Sequence, residues 1–460
     1  MKNEKITISI ISVFPELYDS FIKTSIIARA IENGLLEFNF VRLSDMCEPK
    51  ERIDEPTCGP GTGMILKPHV VEKAIQHCQK EWGDGYKIFF SPQGKLLDQK
   101  IFQKLSDTFV EKQSVSTKQD TNSHIILICA RYEGVDARVE QKYADEIFSI
   151  GDYVLMGGDV AAQVFLEGFL RYVPGVVGKQ ESVEKDSFTG AFFDYPEYGL
   201  PVEWNKMKIP EIVQSGNHGA IEQWRKDEAC KKTLENRFDW IRQSQLSNEE
   251  KVQCKKHIPN HYVALMHSDV LAKKDTVGHT SVTSLDLHDI ARSCATYGIE
   301  NVFMVTQLDD QRAIMKEFLN FWISGKGKTY NESRFKAVSR VVTTESLDDV
   351  ITTIKEKEGV APLIVSTSAK EYKNATHIDY FSQGTVWSHK RPVLFVFGTG
   401  HGLSENVLNK SDYLLEPLYG FTDYNHLSVR SAVAIILDRW VGLNPKIHAI
   451  ELKKDDFHGG

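Results

Sequence analysis

The sequence predicts an α/β protein of two domains, each built on a mostly parallel sheet. Three observations predict it. The chain has 460 residues, more than a single hydrophobic core usually organises. Strand-like and helix-like stretches alternate along both halves, as in parallel sheets covered by helices on both faces. A helical, basic stretch at 216–257 separates the two runs of alternation, and the pattern restarts with a strand after His257-Ile258-Pro259-Asn260.

In the first half, ITISIISVF (6–14) reads as a strand and PELYDSFIKTSIIARAIENG (15–34) as a helix stopped by Asn33-Gly34. YKIFFSP (86–92) and HIILICARYEG (124–134) are short apolar runs ended by turn residues, hence buried strands. The polar run 111–123 reads as a solvated loop or a fraying helix end, and 174–190 as a long loop or linker. In the second half, HYVALMHSDVL (261–271), NVFMVTQ (301–307), PLIVSTS (362–368) and RPVLFVFGTGHG (391–402) read as strands. DLHDIARSCATYG (286–298), DDQRAIMKEFLNFWIS (309–324), LDDVITTIKEKEG (347–359) and HLSVRSAVAIILDRWVG (426–442) read as helices.

Composition narrows the class. No apolar run approaches the ~20 residues of a membrane-spanning helix, and the longest, such as Ile125 to Ala130, have strand length. The start, MKNEKITISIISVF, lacks the pattern of an export signal, so a cytoplasmic protein with no membrane partner is expected. Seven cysteines without a CxxC pair argue against a zinc site of the usual spacing and for reduced thiols; no metal is expected. A net charge of −8 argues weakly against a nucleic-acid partner. A local basic face can still serve, and Arg225, Lys226, Lys231, Lys232, Arg237, Arg242, Lys251, Lys255 and Lys256 all fall in the helical stretch.

Four glycine-bearing segments stand out in the first half: CGPGTGM (58–64), SPQG (91–94), RYEG (131–134) and IGDYVLMGG (150–158). Glycine after a strand lets backbone approach a ligand at the carboxyl edge of an open sheet, although it serves ordinary turns equally well. None of the four is a phosphate loop or a dinucleotide fingerprint, which disfavours a nicotinamide-dependent dehydrogenase. Arg171 ends the run AAQVFLEGFLR, and Asp186 lies in EKDSF. Residue type alone leaves both as ordinary solvated charges.

The ordered set FPELYDSF, KIFFSPQGKLLDQ, ILICARYEGVDARV, SIGDYVLMGGD, FLRYVPGVVG, EKDSF and IVQSGNHGAIEQWR resembles the bacterial tRNA (guanine-N1)-methyltransferase family over about residues 5–250. The resemblance implies a SPOUT-type fold with a deep trefoil knot, S-adenosyl-L-methionine held bent within the knot, and an obligate homodimer. It implies methylation of N1 of the guanine just 3′ of the anticodon in tRNA. It also assigns segments: 1–175 to the knotted cofactor-binding domain, 176–190 to a linker with the catalytic loop, and 191–257 to a small helical tRNA-binding subdomain. Guanine N1 is protonated at neutral pH, so the reaction needs a base, and charge then develops toward O6. By similarity Asp186 is the base, acting at the knot of the other protomer, and Arg171 stabilises the charge. Cofactor contacts are implied for Phe89, Phe90, Ser91, Pro92, Gly94, Tyr132, Glu133, Gly134, Ile150, Tyr153, Leu155, Gly157 and Gly158. Two departures concern cofactor packing: Ala161 stands where the family usually has proline, and CGPGTGM carries one extra residue just upstream of the family's glycine loop.

In the second half, TSLDLHDIARSCATYGI (283–299), FVFGTGHGLSENVL (395–408) and LLEPLYGFTDYNHLSVRSAVAIIL (414–437) resemble the SpoU-like group of the same superfamily. A second SPOUT-like domain over 258–460 follows, with Gly398, Gly400, Gly402, Leu418, Gly420 and Leu427 at its cofactor. Arg292 matches an arginine implicated in ribose 2′-hydroxyl methylation, although the group's usual asparagine is absent and Thr283 or Ser284 stands nearby. Tyr330, Asn331 and Arg334 form a polar cluster in what reads as a loop, GKGKTYNESRFK (325–336), suited to RNA phosphates or simply to water. The expectation is a bifunctional enzyme. The alternative is a second domain that only binds RNA or dimerises.

Overall fold

A computed structural model describes residues 5–60, 63–115, 123–177, 186–272, 276–325, 327–370, 372 and 375–445. They fall into two compact units, 1–189 and 190–460. The expected linker is described only at its ends, because 178–185 lie outside the described residues.

The main sheet of the first unit has five strands: β1 (Ile6–Ser12), β2 (Leu36–Arg42), β3 (Tyr86–Leu96), β4 (His124–Ile128) and β5 (Glu146–Ser149). All pair parallel in the order β2-β1-β4-β3-β5. Every residue of β4 is buried, as a central strand covered on both faces requires. The helices are α1 (Ser25–Glu32), α2 (Pro68–Trp82), α3 (Gln99–Val115), α4 (Ala137–Tyr143) and α5 (Gly158–Leu170). One face of the sheet buries α5, whose Phe165 ring lies 5.9 Å from Phe90 and from Phe102 and 6.1 Å from Phe148. The other face packs Ile11, Ile126 and Phe89 against Val71 and Ile75 of α2. The helix expected over 15–34 is broken. Pro15–Tyr18 and Asp19–Ile22 form single helical turns, Thr24 is extended, and Ser25 takes φ +52° where α1 begins. The Thr24 hydroxyl satisfies the Ser20 carbonyl at 2.5 Å, which closes the short turn locally.

In the second unit, α6 (His218–Asn236), α7 (Phe238–Gln243) and α8 (Asn248–His257) precede the main sheet. A seven-stranded parallel sheet follows, with β6 (His261–Met266), β7 (Val302–Val305), β8 (Val341–Thr344), β9 (Leu363–Thr367), β10 (His377–Ile378), β11 (Val393–Gly398) and β12 (Tyr413–Leu415). Its order is β8-β7-β6-β11-β9-β12-β10. Helices α9 (Ser284–Thr296), α10 (Asp309–Ile323), α11 (Leu347–Glu358) and α12 (Val429–Val441) are the longest in this part. Capping boxes start α8, α9 and α11.

The basic helical stretch shares the core of this second unit. Cys230, Leu234, Phe238, Ile241 and Cys254 join the cluster that contains Val263, Leu265 and Trp440. Arg242 fixes the arrangement by donating to the carbonyls of Asp438 (2.9 Å), Arg439 (2.6 Å) and Gly442 (2.9 Å). These carbonyls lie at the C-terminus of α12, where a cation is favoured, and that of Asp438 also accepts the Gly442 N–H at 2.9 Å. Beneath lies His261, whose Nδ1 donates to the Pro259 carbonyl while Nε2 accepts the indole N–H groups of Trp387 and Trp440. Burial holds its pKa down at about 4. The segment 325–336 is not the expected loop. Asn331 caps a helix over Glu332–Val338, and the Arg334 guanidinium lies 4.9 Å from the centre of the Trp322 ring. Lys326 lies outside the described residues.

Candidate functional site

At the carboxyl ends of β3, β4 and β5 the backbone opens into a cavity of about 430 Å³, where open parallel sheets bind ligands. Phe90, Ser91 and Pro92 line one side, Tyr132, Glu133 and Gly134 the second, and Ile150, Tyr153, Leu155, Gly157 and Gly158 the third. Local backbone explains the shape. Tyr132 sits at φ +60° and Gly134 at φ +112°; the first is unusual for a non-glycine residue and marks a constrained loop. Gly158 N–H donates to the Ala130 carbonyl at 2.7 Å, which draws the start of α5 onto the end of β4. Two expected contacts lie elsewhere. Phe89 is 1% exposed in the core on the opposite face. Gly94 lies where β3 runs close against β5, and a Cβ there would sit 2.6 Å from the Phe148 carbonyl carbon.

Beside the cavity is a buried charge pair that the sequence motifs contained but did not single out. The Arg131 Nη2 lies 2.8 Å from the Asp159 carboxylate, and its Nε donates at 3.0 Å. Asp159 is fully buried in the first turn of α5, where the helix dipole favours an anion. Its other oxygen accepts from the Ser12 hydroxyl at 2.5 Å, and its backbone carbonyl accepts from the Tyr18 phenol at 3.2 Å. RYEG and GGD each supply one charge, so the signal was opposite charges at the mouths of neighbouring elements. Glu140 also lines the cavity, and burial raises its carboxyl above the usual range.

Arg171 follows α5, and its Nη2 donates to the Asp186 carboxylate, so the structure brings these two residues together. Neither lines the 430 Å³ cavity of its own chain. Thr189 holds the Asp186 turn through its hydroxyl, 2.6 Å from the Asp186 carbonyl.

The second unit has a cavity of about 540 Å³ between the loop after β11 and the segment leading to α12. Gly398, Gly400, Gly402, Leu418 and Leu427 line it, with Lys370, His401, Asp423 and Asn425, which sequence reasoning did not select. Gly420 is not in the lining. At Gly400, φ is +62° and a Cβ would stand 2.8 Å from the Leu271 carbonyl oxygen, so only glycine fits. Thr399 anchors the loop by donating to the Met266 carbonyl at 2.8 Å. Arg292 is exposed on α9 and does not line this cavity. Among the described residues no group of three His, Cys, Asp or Glu side chains could hold a metal ion, and no helix is long and apolar enough to cross a membrane.

Both cavities are bordered by glycine turns that bare the backbone, and both fall in the size range of small-molecule sites. Family models match the two parts separately: "SAM-dependent RNA methyltransferase" over 260–442 and "tRNA (Guanine-1)-methyltransferase TrmD" over 6–243. The class is therefore that of S-adenosylmethionine-dependent RNA methyltransferases. Relatives sharpen this. A tRNA (guanine-N(1)-)-methyltransferase of Nitratidesulfovibrio vulgaris is 36% identical over 440 residues, 94% of this chain and 99% of the relative. One of Oleidesulfovibrio alaskensis is 34% identical over the same shares. A shorter one, from Dictyoglomus turgidum, is 40% identical over 244 residues, 53% of this chain and 93% of the relative. The chain belongs to the tRNA (guanine-N1)-methyltransferase family TrmD.

Proposed function

We propose that the chain carries two methyl-transfer sites for RNA. The first methylates N1 of the guanine 3′ of the anticodon in tRNA, and the contact of Arg171 with Asp186 is the observation that carries it. Asp186 removes the N1 proton. Arg171 turns its guanidinium toward O6, where the resulting negative charge collects. Bound in the 430 Å³ cavity, S-adenosylmethionine supplies an electrophilic methyl group. The glycine-flanked loops Tyr132–Gly134 and Gly157–Gly158 suit its adenosine and amino-acid ends. Because Arg171 and Asp186 stand off their own chain's cavity, we infer that they serve the cavity of a second copy, in a homodimer of knotted SPOUT-type domains in the cytoplasm. The expected domain limits, 1–175, 176–190, 191–257 and 258–460, belong to the same reading.

The second site is the 540 Å³ cavity, which binds S-adenosylmethionine and methylates a second RNA position. By the resemblance this is a ribose 2′-hydroxyl, with Arg292 reaching the partner copy's cavity. The competing reading, a domain that only binds RNA or dimerises, predicts no methyl transfer there.

The test uses full-length protein, labelled S-adenosylmethionine and tRNA transcripts with guanine or adenine 3′ of the anticodon, followed by nucleotide mapping. Asp186→Asn should abolish 1-methylguanosine and leave any second product. Full guanine methylation by that variant would overturn the first assignment. Absence of a second modified nucleotide from all RNAs tried would favour the non-catalytic reading.

A further inference from the structure

The segment 421–427 carries two kinds of side chain in sequence. Asp423, Asn425, His426 and Leu427 line the 540 Å³ cavity. Between and before them, Phe421 is fully exposed and Tyr424 is 76% exposed. The Tyr424 ring is steadied by an edge contact with His426, centroids 5.4 Å apart, and Asn425 Nδ2 ties the segment to the Ala369 carbonyl at 3.3 Å. Two aromatic faces thus stand in water on a tethered segment at the mouth of a cavity. Isolated exposed apolar side chains are ordinary, but two exposed rings in one short segment beside a ligand cavity mark a contact surface.

We propose that Phe421 and Tyr424 stack on an unpaired RNA base and present its nucleotide to the second cavity, an inference that rests on reading that cavity as an RNA methylation site. Duplex bases already have both faces covered, so rings of this kind select single-stranded or looped RNA. The neighbours favour RNA over a second copy of the chain. Thr422, Asp423, Asn425 and His426 interleave hydroxyl, carboxylate, amide and imidazole groups among the rings. Those groups suit base edges, whereas a dry dimer seam excludes them.

The experiment is ultraviolet crosslinking of the full-length protein to a uridine-containing RNA hairpin, and to the same RNA annealed to its complement, with crosslinked peptides identified by mass spectrometry. Crosslinks at Phe421 or Tyr424 are expected with the hairpin and not with the duplex. The double variant Phe421→Ala/Tyr424→Ala should lose these crosslinks and about tenfold in methyl transfer at the second site, while Phe421→Trp keeps both. Guanine methylation by the first half should stay unchanged. Equilibrium dialysis of S-adenosylmethionine runs in parallel. Two molecules per chain, falling to one in Gly400→Ala, support the cavity reading, and one per chain regardless of that variant overturns it. Two bound molecules with no crosslink at 421–427 overturn the stacking proposal alone. So does a double variant that halves the sedimentation mass with crosslinks unchanged, which would assign the rings to a second copy.

Discussion

Arg131 and Asp159 stand 28 residues apart and meet as a buried pair, 2.8 Å between guanidinium and carboxylate, where the end of β4 touches the start of α5. Asp159 has no solvent exposure and Arg131 little. Removing one partner leaves the other charge buried and uncompensated, which costs about 3–5 kcal/mol. Arg131→Met should therefore lower the urea midpoint of the first unit strongly, and the double variant Arg131→Met/Asp159→Leu should recover part of the loss. The pair also clamps the two loops that face the cavity, so S-adenosylmethionine affinity at the first site should fall with it. Wild-type affinity in either variant would show the pair to be structural only.

The Arg171–Asp186 contact gives a sharper kinetic expectation. Asp186→Asn keeps the size and the hydrogen bond but removes the base, and should reduce kcat by about 10²–10⁴ with little change in KM for S-adenosylmethionine. Arg171→Lys keeps charge but loses the planar fork and should act mainly on kcat. Single-turnover methylation of a tRNA transcript measures both. A change confined to KM for tRNA would demote the pair to RNA binding.

What could be read from sequence, and what could not, follows from how far each signal reaches. The alternation of short apolar runs and amphipathic stretches is local, so it predicted parallel sheets in both halves, and both are present. Residues flanking a strand end in one motif, such as Tyr132–Gly134 and Gly157–Gly158, line the cavity. Phe89 belongs to an equally good motif but not to the cavity, because alternation along a strand sends successive side chains to opposite faces, and Gly94 is instead packed against the backbone of β5. Asn331 looked like a loop residue because a capping asparagine and a turn asparagine share the same sequence signature. The charge pair Arg131–Asp159 depended on two elements meeting in space, which no local pattern reports.

Acid should loosen the second unit first through His261. Its folded pKa, about 4, lies below the ordinary 6.5 because burial disfavours the charged ring and both indoles donate to it. As pH falls from 6.5 toward 4, the unfolded chain takes up a proton that the folded chain refuses, so stability present above 6.5 is lost across that window. By pH 5 the loss from this group is about 2 kcal/mol. His267, also held near 4 by burial, adds in the same direction. Urea titrations at pH 7.5 and 5.0 of wild type and His261→Gln measure the difference, and equal pH sensitivity in both would remove His261 from the account.

Arg242 makes the helices preceding β6 part of the second unit, and its loss should show that directly. Its guanidinium satisfies three carbonyls at the end of α12, and the site is partly buried. Arg242→Ala takes this donor from the Arg439 and Gly442 carbonyls, while Asp438 keeps the Gly442 N–H, and should cost about 2–3 kcal/mol. The more telling readout is local. Hydrogen exchange in α7 and in the last turn of α12 should accelerate together, while the β1–β5 sheet keeps its protection. If α12 loosened and α7 did not, the helical stretch would be held by its apolar contacts with Val263 and Leu265 rather than by this cap. Arg242→Lys separates the two causes, since a single ammonium can reach one of the three carbonyls but lacks the fork that spans them.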